Sequence, residues 1–190
     1  MERKVGNAPA RRLPPGSHGI SADVVARNQR ERLVAATAEV CAEKGYAETS
    51  VAAITKRAGV STVTFYRLFA DKRDCMLAAH RQLLGRLLEE IDRARLAESA
   101  VEGQRFAALR SMLTLLAADP PSARLLTVEI LAVGEEGSKR HDATVEAFAE
   151  RLGVDWVIAA GILALIGKRV MAGEADRLSE LEEAAKCFVV

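Results

Sequence analysis

Residues 49–68, TSVAAITKRAGVSTVTFYRL, constrain the fold of this chain more than any other stretch. Apolar Val51, Ile54 and Ala58 recur at i, i+3 and i+7, which lays one apolar stripe along a short helix opened by Thr49 or Ser50 as N-cap. Gly59 breaks that helix. Val60 plugs the corner, Ser61 can cap a second helix, and Phe65, Leu68 and Phe69 supply that helix's buried side. Thr62, Val63, Thr64, Tyr66 and Arg67 are left pointing outward. A helix so short, with one face so polar, gains little from packing alone, so its outward residues call for a functional explanation. The pattern predicts a helix-turn-helix that reads DNA.

The composition agrees with helices. Of 190 residues, 49% are hydrophobic but only 4% aromatic, and strand-like alternation is absent, so an all-α fold is expected. The net charge of +1 conceals an asymmetry: residues 1–74 hold 13 Lys and Arg against 8 Asp and Glu, and the remainder 14 against 18, so a +5 head precedes a −4 body. A basic head suits a polyanion, although ordinary soluble proteins carry such segments too. Cys41, Cys75 and Cys187 fit neither a CxxC metal site nor a disulfide framework, which points to a reducing cytoplasm, and Cys41 reads as a small core residue. The opening residues lack an apolar leader segment. The longest apolar run, 157–167, falls short of the roughly 20 residues a membrane span needs, so no membrane partner is expected. His80 and His141 have no second ligand at metal spacing. Gly161 and Gly167 before Lys168 miss the phosphate-loop pattern in spacing and lack a following Ser or Thr. No nucleophile elbow or supported triad occurs, so neither metal, cofactor nor catalysis is expected.

Along the chain, residues 1–20 form a flexible basic tail, either an arm that tracks phosphates or an unstructured leader. A first helix is expected from Ser21 to Lys44, ended by Gly45, with Leu33, Val34, Ala38, Val40 and Cys41 inward. Arg30 near its start could touch phosphate or stay solvated. Asp71, with Asp74 three residues on, caps a long helix whose apolar register runs through Met76, Leu84, Leu87 and Ile91 to about Ala97. At 1.5 Å per residue it would span close to 40 Å. Further helices are expected over 101–118, stopped by Asp119, Pro120 and Pro121, and over 122–133, ended at Gly134. A polar link over 135–142 precedes a helical stretch at 143–152. Two last helices, 155–172 and 174–188, flank Gly173.

Residues 30–79 resemble the DNA-binding domain of the tetracycline-repressor (TetR) family of bacterial transcriptional regulators. The resemblance is carried by the EKGY turn ending at Tyr46, the pair Thr49 and Ser50, AGVS at 58–61 and TFYRLFADK at 64–72, in that order and spacing. Thr55 stands where such motifs usually carry Ala and should fit with its methyl inward. Val63 and Leu68 replace the usual residues and alter the surface that would meet the bases. The resemblance implies a three-helix helix-turn-helix domain over 21–70 and a helical ligand-binding and dimerisation bundle over 71–190. It matches Ser50, Ser61, Tyr66 and Lys72 to phosphate-gripping positions, and the long helix after the head to a lever moved by ligand. Thr62, Val63, Thr64 and Arg67 remain for base contacts.

In the body, the apolar helix over 157–166 needs cover on several sides, which its own domain and a second subunit would provide, giving a homodimer through the last two helices. Phe106, Leu109, Met112, Leu113, Leu116, Val128, Leu131 and Phe148 could surround a cavity for a largely apolar small-molecule effector, or be plain core. Glu129, among Leu125, Leu126, Ala132 and Val133, should be partly buried and need a donor, for which Arg105, Arg110 and Arg124 are candidates. It would serve either a structural bridge or a ligand. The resulting expectation is a ligand-responsive regulator in the bacterial cytoplasm, associated with the nucleoid. It would repress from a near-palindromic operator in double-stranded DNA as a dimer and be released by a small molecule. The alternative is a helical carrier or interaction module whose head no longer reads DNA.

Overall fold

The structure, a computed structural model, describes residues 21–189, so the tail expected over 1–20 lies outside the described residues. Among the described residues every regular element is a helix. The chain divides into two compact units, one ending at Ala79 and one beginning at His80.

In the first unit, α1 (Ala22–Glu48) starts at Ser21, whose hydroxyl accepts from the Val24 amide at 3.3 Å. Helical geometry breaks at Gly45 (φ 80°, ψ 159°), where the sequence places the end, and one more turn runs to Glu48. Ser50, not Thr49, caps α2 (Val51–Ala58): its hydroxyl accepts from the Ala53 amide at 3.2 Å, while Thr49 is buried and donates to the Gly45 carbonyl at 2.8 Å. Gly59 is left-handed (φ 60°, ψ 39°), and the Gly59 and Val60 amides donate back to the Lys56 and Thr55 carbonyls at 3.3 and 3.0 Å. This Schellman closure sets the corner of the motif. Ser61 caps α3 (Thr62–Leu68), accepting from the Thr64 amide at 3.1 Å. Asp71 opens α4 (Lys72–Leu96) by accepting from the Asp74 amide at 2.7 Å, and the Asp74 carboxylate accepts from the Ala70 amide at 3.1 Å.

Leu33 and Cys41 of α1, Ile54 of α2, Phe65 of α3, and Cys75 and Met76 of α4 are fully buried in this unit. Each large apolar side chain so removed from water contributes on the order of 1.5–3 kcal/mol. That burial holds α3, which at 7 residues is too short to persist by itself. Thr55 is buried with its hydroxyl spent on the Ala52 carbonyl at 3.1 Å, so it fits the helix contact where Ala is usual. Burial pushes the Cys75 thiol up to about 12, against the partial relief of a 3.1 Å contact with Thr37 Oγ1, which leaves it inert at neutral pH.

The second unit contains the rest of α4, then α5 (Val101–Ala118), α6 (Pro120–Thr127), α7 (Glu135–Leu152), α8 (Trp156–Met171) and α9 (Leu181–Lys186), with 3-10 turns at Glu129–Val133 and Ala175–Glu180. Three sequence-based boundaries move. The helix expected over 122–133 is two pieces: Asp119 caps α6 with Pro120 and Pro121 in its first turn, and the backbone leaves helical geometry at Val128 (φ −123°, ψ −61°). The two prolines open a helix because the amides they lack have no acceptor in a first turn.

The polar stretch 135–142 is the first half of α7, not a link. Gly134 (φ 90°) turns the chain, Glu135 and Glu136 face the positive end of the helix dipole, and Glu135–Lys139 and Glu136–Arg140 pair at 2.7 and 3.3 Å. The stretch over 174–188 is not one helix but the second 3-10 turn followed by α9, after a bend at Gly173 (φ 76°).

In this unit α8 packs on α6 and α7, and α5 packs on the second 3-10 turn and on α9. Among the described residues no helix is long and apolar enough to cross a membrane.

Candidate nucleic-acid interface and effector site

The outward face of α3 is built from its inward one. Phe65 is fully buried and its ring lies 5.7 Å from that of Phe69, which anchors the helix and turns Thr62, Val63, Tyr66 and Arg67 to solvent. Val63 is 82% and Tyr66 58% exposed, a large outlay of apolar and aromatic surface for a helix end, available to a thymine methyl or a phosphate. Thr64 differs from its neighbours: it is half-buried and its hydroxyl lies 2.9 Å from Ser61 Oγ, which draws it toward the cap. Ser50 and Ser61 are exposed at the starts of α2 and α3, with hydroxyls already engaged in capping.

Lys72 is engaged within the head itself. Its ammonium donates to the carbonyls of Tyr46, Ala47 and Thr49 at 3.0, 3.1 and 2.8 Å and sits 4.6 Å from the Tyr46 ring centre. A lysine has three N–H groups, and all three are committed. The side chain closes the end of α1 with a positive charge where the helix dipole is negative. In this geometry it has no proton left for a phosphate.

Two arginines of α1 shape the interface without lying on it. Arg30 donates to the Leu68 carbonyl at 3.1 Å and stacks over the Phe69 ring at 4.3 Å, fixing the end of α3 against α1. Arg32 donates to the Gly59 carbonyl at 3.0 Å and to that of Ala58, gripping the corner between α2 and α3. A Cβ on Gly59 would fall 2.7 Å from that guanidinium, the movable end of a long side chain, so it is the positive φ that calls for Gly here. Arg57 ties α2 to α1 through Glu39 and Glu43 at 2.9 and 2.7 Å. The partners of Arg30 and Arg32 lie 26 to 38 residues away, so no local pattern marks these residues.

In the body, Leu109, Met112, Leu113, Leu116, Glu129 and Phe148 are buried, whereas Phe106 and Val128 are half-buried and Leu131 is exposed. Glu129 takes its donor from Arg124, at 2.7 Å, and Arg110 pairs instead with Glu182 at 3.0 Å. An apolar groove of about 480 Å³ lies elsewhere, between α8 and α9, lined by residues including Ile158, Gly161, Leu165, Leu181 and Phe188. It shares no residue with the expected effector lining. On α8, Ala159, Ile162, Leu163 and Ile166 are buried while Val157 is 74% and Leu165 49% exposed, so one apolar face of that helix is covered and the other is open.

Fold and head together define an all-helical protein of two units with an N-terminal helix-turn-helix. Residues 33–79 of that head match the model of the tetR family of bacterial regulatory proteins. The fatty acid metabolism regulator protein of Bacillus subtilis is 26% identical over 132 residues, covering 69% of this chain and 66% of the relative. The HTH-type transcriptional regulator BetI of Stenotrophomonas maltophilia is 40% identical over 67 residues, 35% of this chain and 34% of the relative. The chain thus spans just under two thirds of the length of one curated relative and about a third of the other. Among solved structures, the fatty acid degradation regulator FadR of Bacillus halodurans shares the fold at a TM-score of 0.73 and 20% identity, covering 85% of this chain and 94% of that one. FadR of Bacillus subtilis in complex with stearoyl-CoA does so at 0.72 and 20%, covering 84% and 96%.

Proposed function

We propose that this protein is a transcriptional regulator that binds a near-palindromic operator as a homodimer and is released by a small, largely apolar effector. The observation that carries the reading is α3 itself. A seven-residue helix is held from behind by Phe65, Arg30 and Arg32, and in front it exposes Thr62, Val63, Tyr66 and Arg67, of which Tyr66 touches the Phe65 ring edge-on and Arg67 reaches Gln29 at 3.5 Å. Two such helices from a dimer would enter successive major grooves about 34 Å apart. Thr62 and Arg67 can hydrogen-bond base edges, Val63 can pack on a thymine methyl, and Ser50, Ser61 and Tyr66 would meet phosphates. The open faces of α8 and α9 suit the pairing surface of a homodimer, and the buried side chains of α5 and α7 suit an effector site.

The test is a selection of genomic DNA fragments by the full chain, followed by release from the selected site. Stearoyl-CoA is the first effector to try, because a protein of the same fold is seen with it. Expected are sequence-dependent, salt-sensitive binding and a fall in operator affinity of about 5- to 150-fold with effector. Binding without sequence preference would favour a carrier or interaction module instead.

A further inference from the structure

One cluster in the second unit is left over by this reading. On α4, Asp92 lies between two arginines. Arg151 of α7 grips it with a two-pronged contact, Nε to Oδ1 at 3.0 Å and Nη2 to Oδ2 at 2.8 Å, and Arg95 Nη1 reaches Oδ1 at 3.4 Å. Arg151 Nη1 donates to the Ala147 carbonyl at 3.0 Å and lies 3.8 Å from the outlying carboxylate of Glu150. The Nε of Arg95 is buried and has no hydrogen-bond partner.

Three features of this cluster point the same way. Two guanidinium groups share one close carboxylate, and the second carboxylate, Glu150, stands off at 3.8 Å from Arg151 alone. Asp92 lies outside the two guanidiniums it joins: its side chain is 39% exposed, against 30% for Arg95 and 18% for Arg151, so it covers them from solvent. The buried Nε–H of Arg95 is an unspent charged donor, a state that costs about 1–3 kcal/mol or more until an acceptor arrives. A guanidinium edge with Nε and Nη free to act together is the geometry that holds a carboxylate or phosphate by two parallel bonds.

The geometry points to an oxyanion-binding site at Arg95 and Arg151, with Asp92 as its built-in plug, that receives the carboxylate or phosphate group of a small effector. An incoming oxyanion displaces Asp92 from Arg151 and meets Arg95 Nε, and Asp92 moves to solvent. Because Asp92 and Arg151 join α4 to α7, the exchange replaces a direct tie between those helices by one through the ligand. The inference rests on the effector-binding half of the proposed function and not on DNA reading.

The test uses the full chain and two probes, octanoate for a carboxylate and inorganic pyrophosphate for a phosphate, titrated calorimetrically against a chloride control of equal ionic strength. Asp92→Asn removes the competing charge and is expected to bind at least one probe saturably and at least tenfold more tightly than the parent chain. Arg95→Gln is expected to lose at least tenfold, and the preferred probe tells which oxyanion the site takes. No saturable binding to Asp92→Asn, or equal affinity in Arg95→Gln, overturns the site and leaves the cluster as a helix-to-helix ion pair. If Asp92→Asn does not fold, the parent chain against Arg95→Gln decides by the same criterion. Operator binding is scored separately: a chain that takes the anion without reading DNA sinks the regulator alone, and one that reads DNA but takes neither probe sinks this site alone.

Discussion

A charged side chain is informative here chiefly through where its protons go. Lys72 spends three on carbonyls at the end of α1. Lys72→Met keeps the stem and strands those acceptors, so urea unfolding should show a loss of about 1–3 kcal/mol. The slope of operator affinity against salt should stay as it is, whereas loss of a phosphate contact would lower it by about one. His80 makes a similar case. It is 1% exposed, with Nε2 at 3.1 Å from Thr144 Oγ1, and that hydroxyl donates its one proton to the Arg140 carbonyl at 2.9 Å. Thr144 must therefore accept, which puts the imidazole proton on Nε2 and leaves Nδ1 a bare, unpartnered acceptor. Burial first, then the nearby charges of Arg140 and His141, lower the pKa to about 4 from an ordinary 6.5. Between these values the unfolded chain binds a proton that the folded chain refuses. Stability is therefore full above about pH 6.5 and declines as pH falls toward 4, by up to about 3 kcal/mol. Unfolding free energies at pH 7.5 and 5 should differ less in His80→Leu than in the parent; an equal drop in both would assign the effect to other groups.

Among the elements, α7 separates helix propensity from packing. Gly137 sits in its first turn, and in the sequence it reads as part of a loop. A Cβ there would overlap the Ile130 carbonyl oxygen and lie 2.9 Å from Val133 Cβ, so the 3-10 turn before α7 packs directly on this backbone. Gly137→Ala should gain up to about 1 kcal/mol of helix propensity and lose more, about 1–3 kcal/mol, to the forced shift. A net fall in melting temperature is the expected reading, and a rise would mean that the turn gives way freely. Glu129 follows from the same turn. The backbone break at Val128 is followed at once by a carboxylate bonded to Arg124, five residues back, a pairing that a continuous helix would not present on one face.

At the scale of the whole molecule, the open face of α8 is the largest claim on a partner. Val157 and Leu165 are exposed beside a groove reaching α9, in a helix whose other face is core. If this face pairs two copies, Leu165→Glu should leave helix content and melting of the chain nearly unchanged, shift the sedimentation coefficient to that of a monomer, and weaken operator binding by losing one of two heads. A variant that still sediments as a dimer would move the pairing surface elsewhere. The charge difference between a +5 front and a −4 remainder belongs to this scale as well, since it favours approach of DNA to the basic head.

The helix-turn-helix was legible in the sequence nearly residue by residue. Its determinants are local: Ser50 and Ser61 bond amides three residues on, Gly59 takes a conformation other residues resist, and Phe65 follows a one-turn period. The long α4 was legible for the same reason, from its Asp71 cap and unbroken apolar register. The carbonyl partners of Lys72, Arg30 and Arg32 were not, and neither was the pairing of Glu129 with Arg124 while Arg110 pairs with Glu182. These side chains are long, and most of their alternative partners are scattered along the chain, so several pairings satisfy the same sequence. The start of α7 belongs with them, because a glycine that ends structure and a glycine that admits a neighbouring backbone look alike until the neighbour is in place. Capping and periodicity act within a helical turn and are written in the sequence. Where a long side chain ends and which backbones touch are settled only when distant segments pack together.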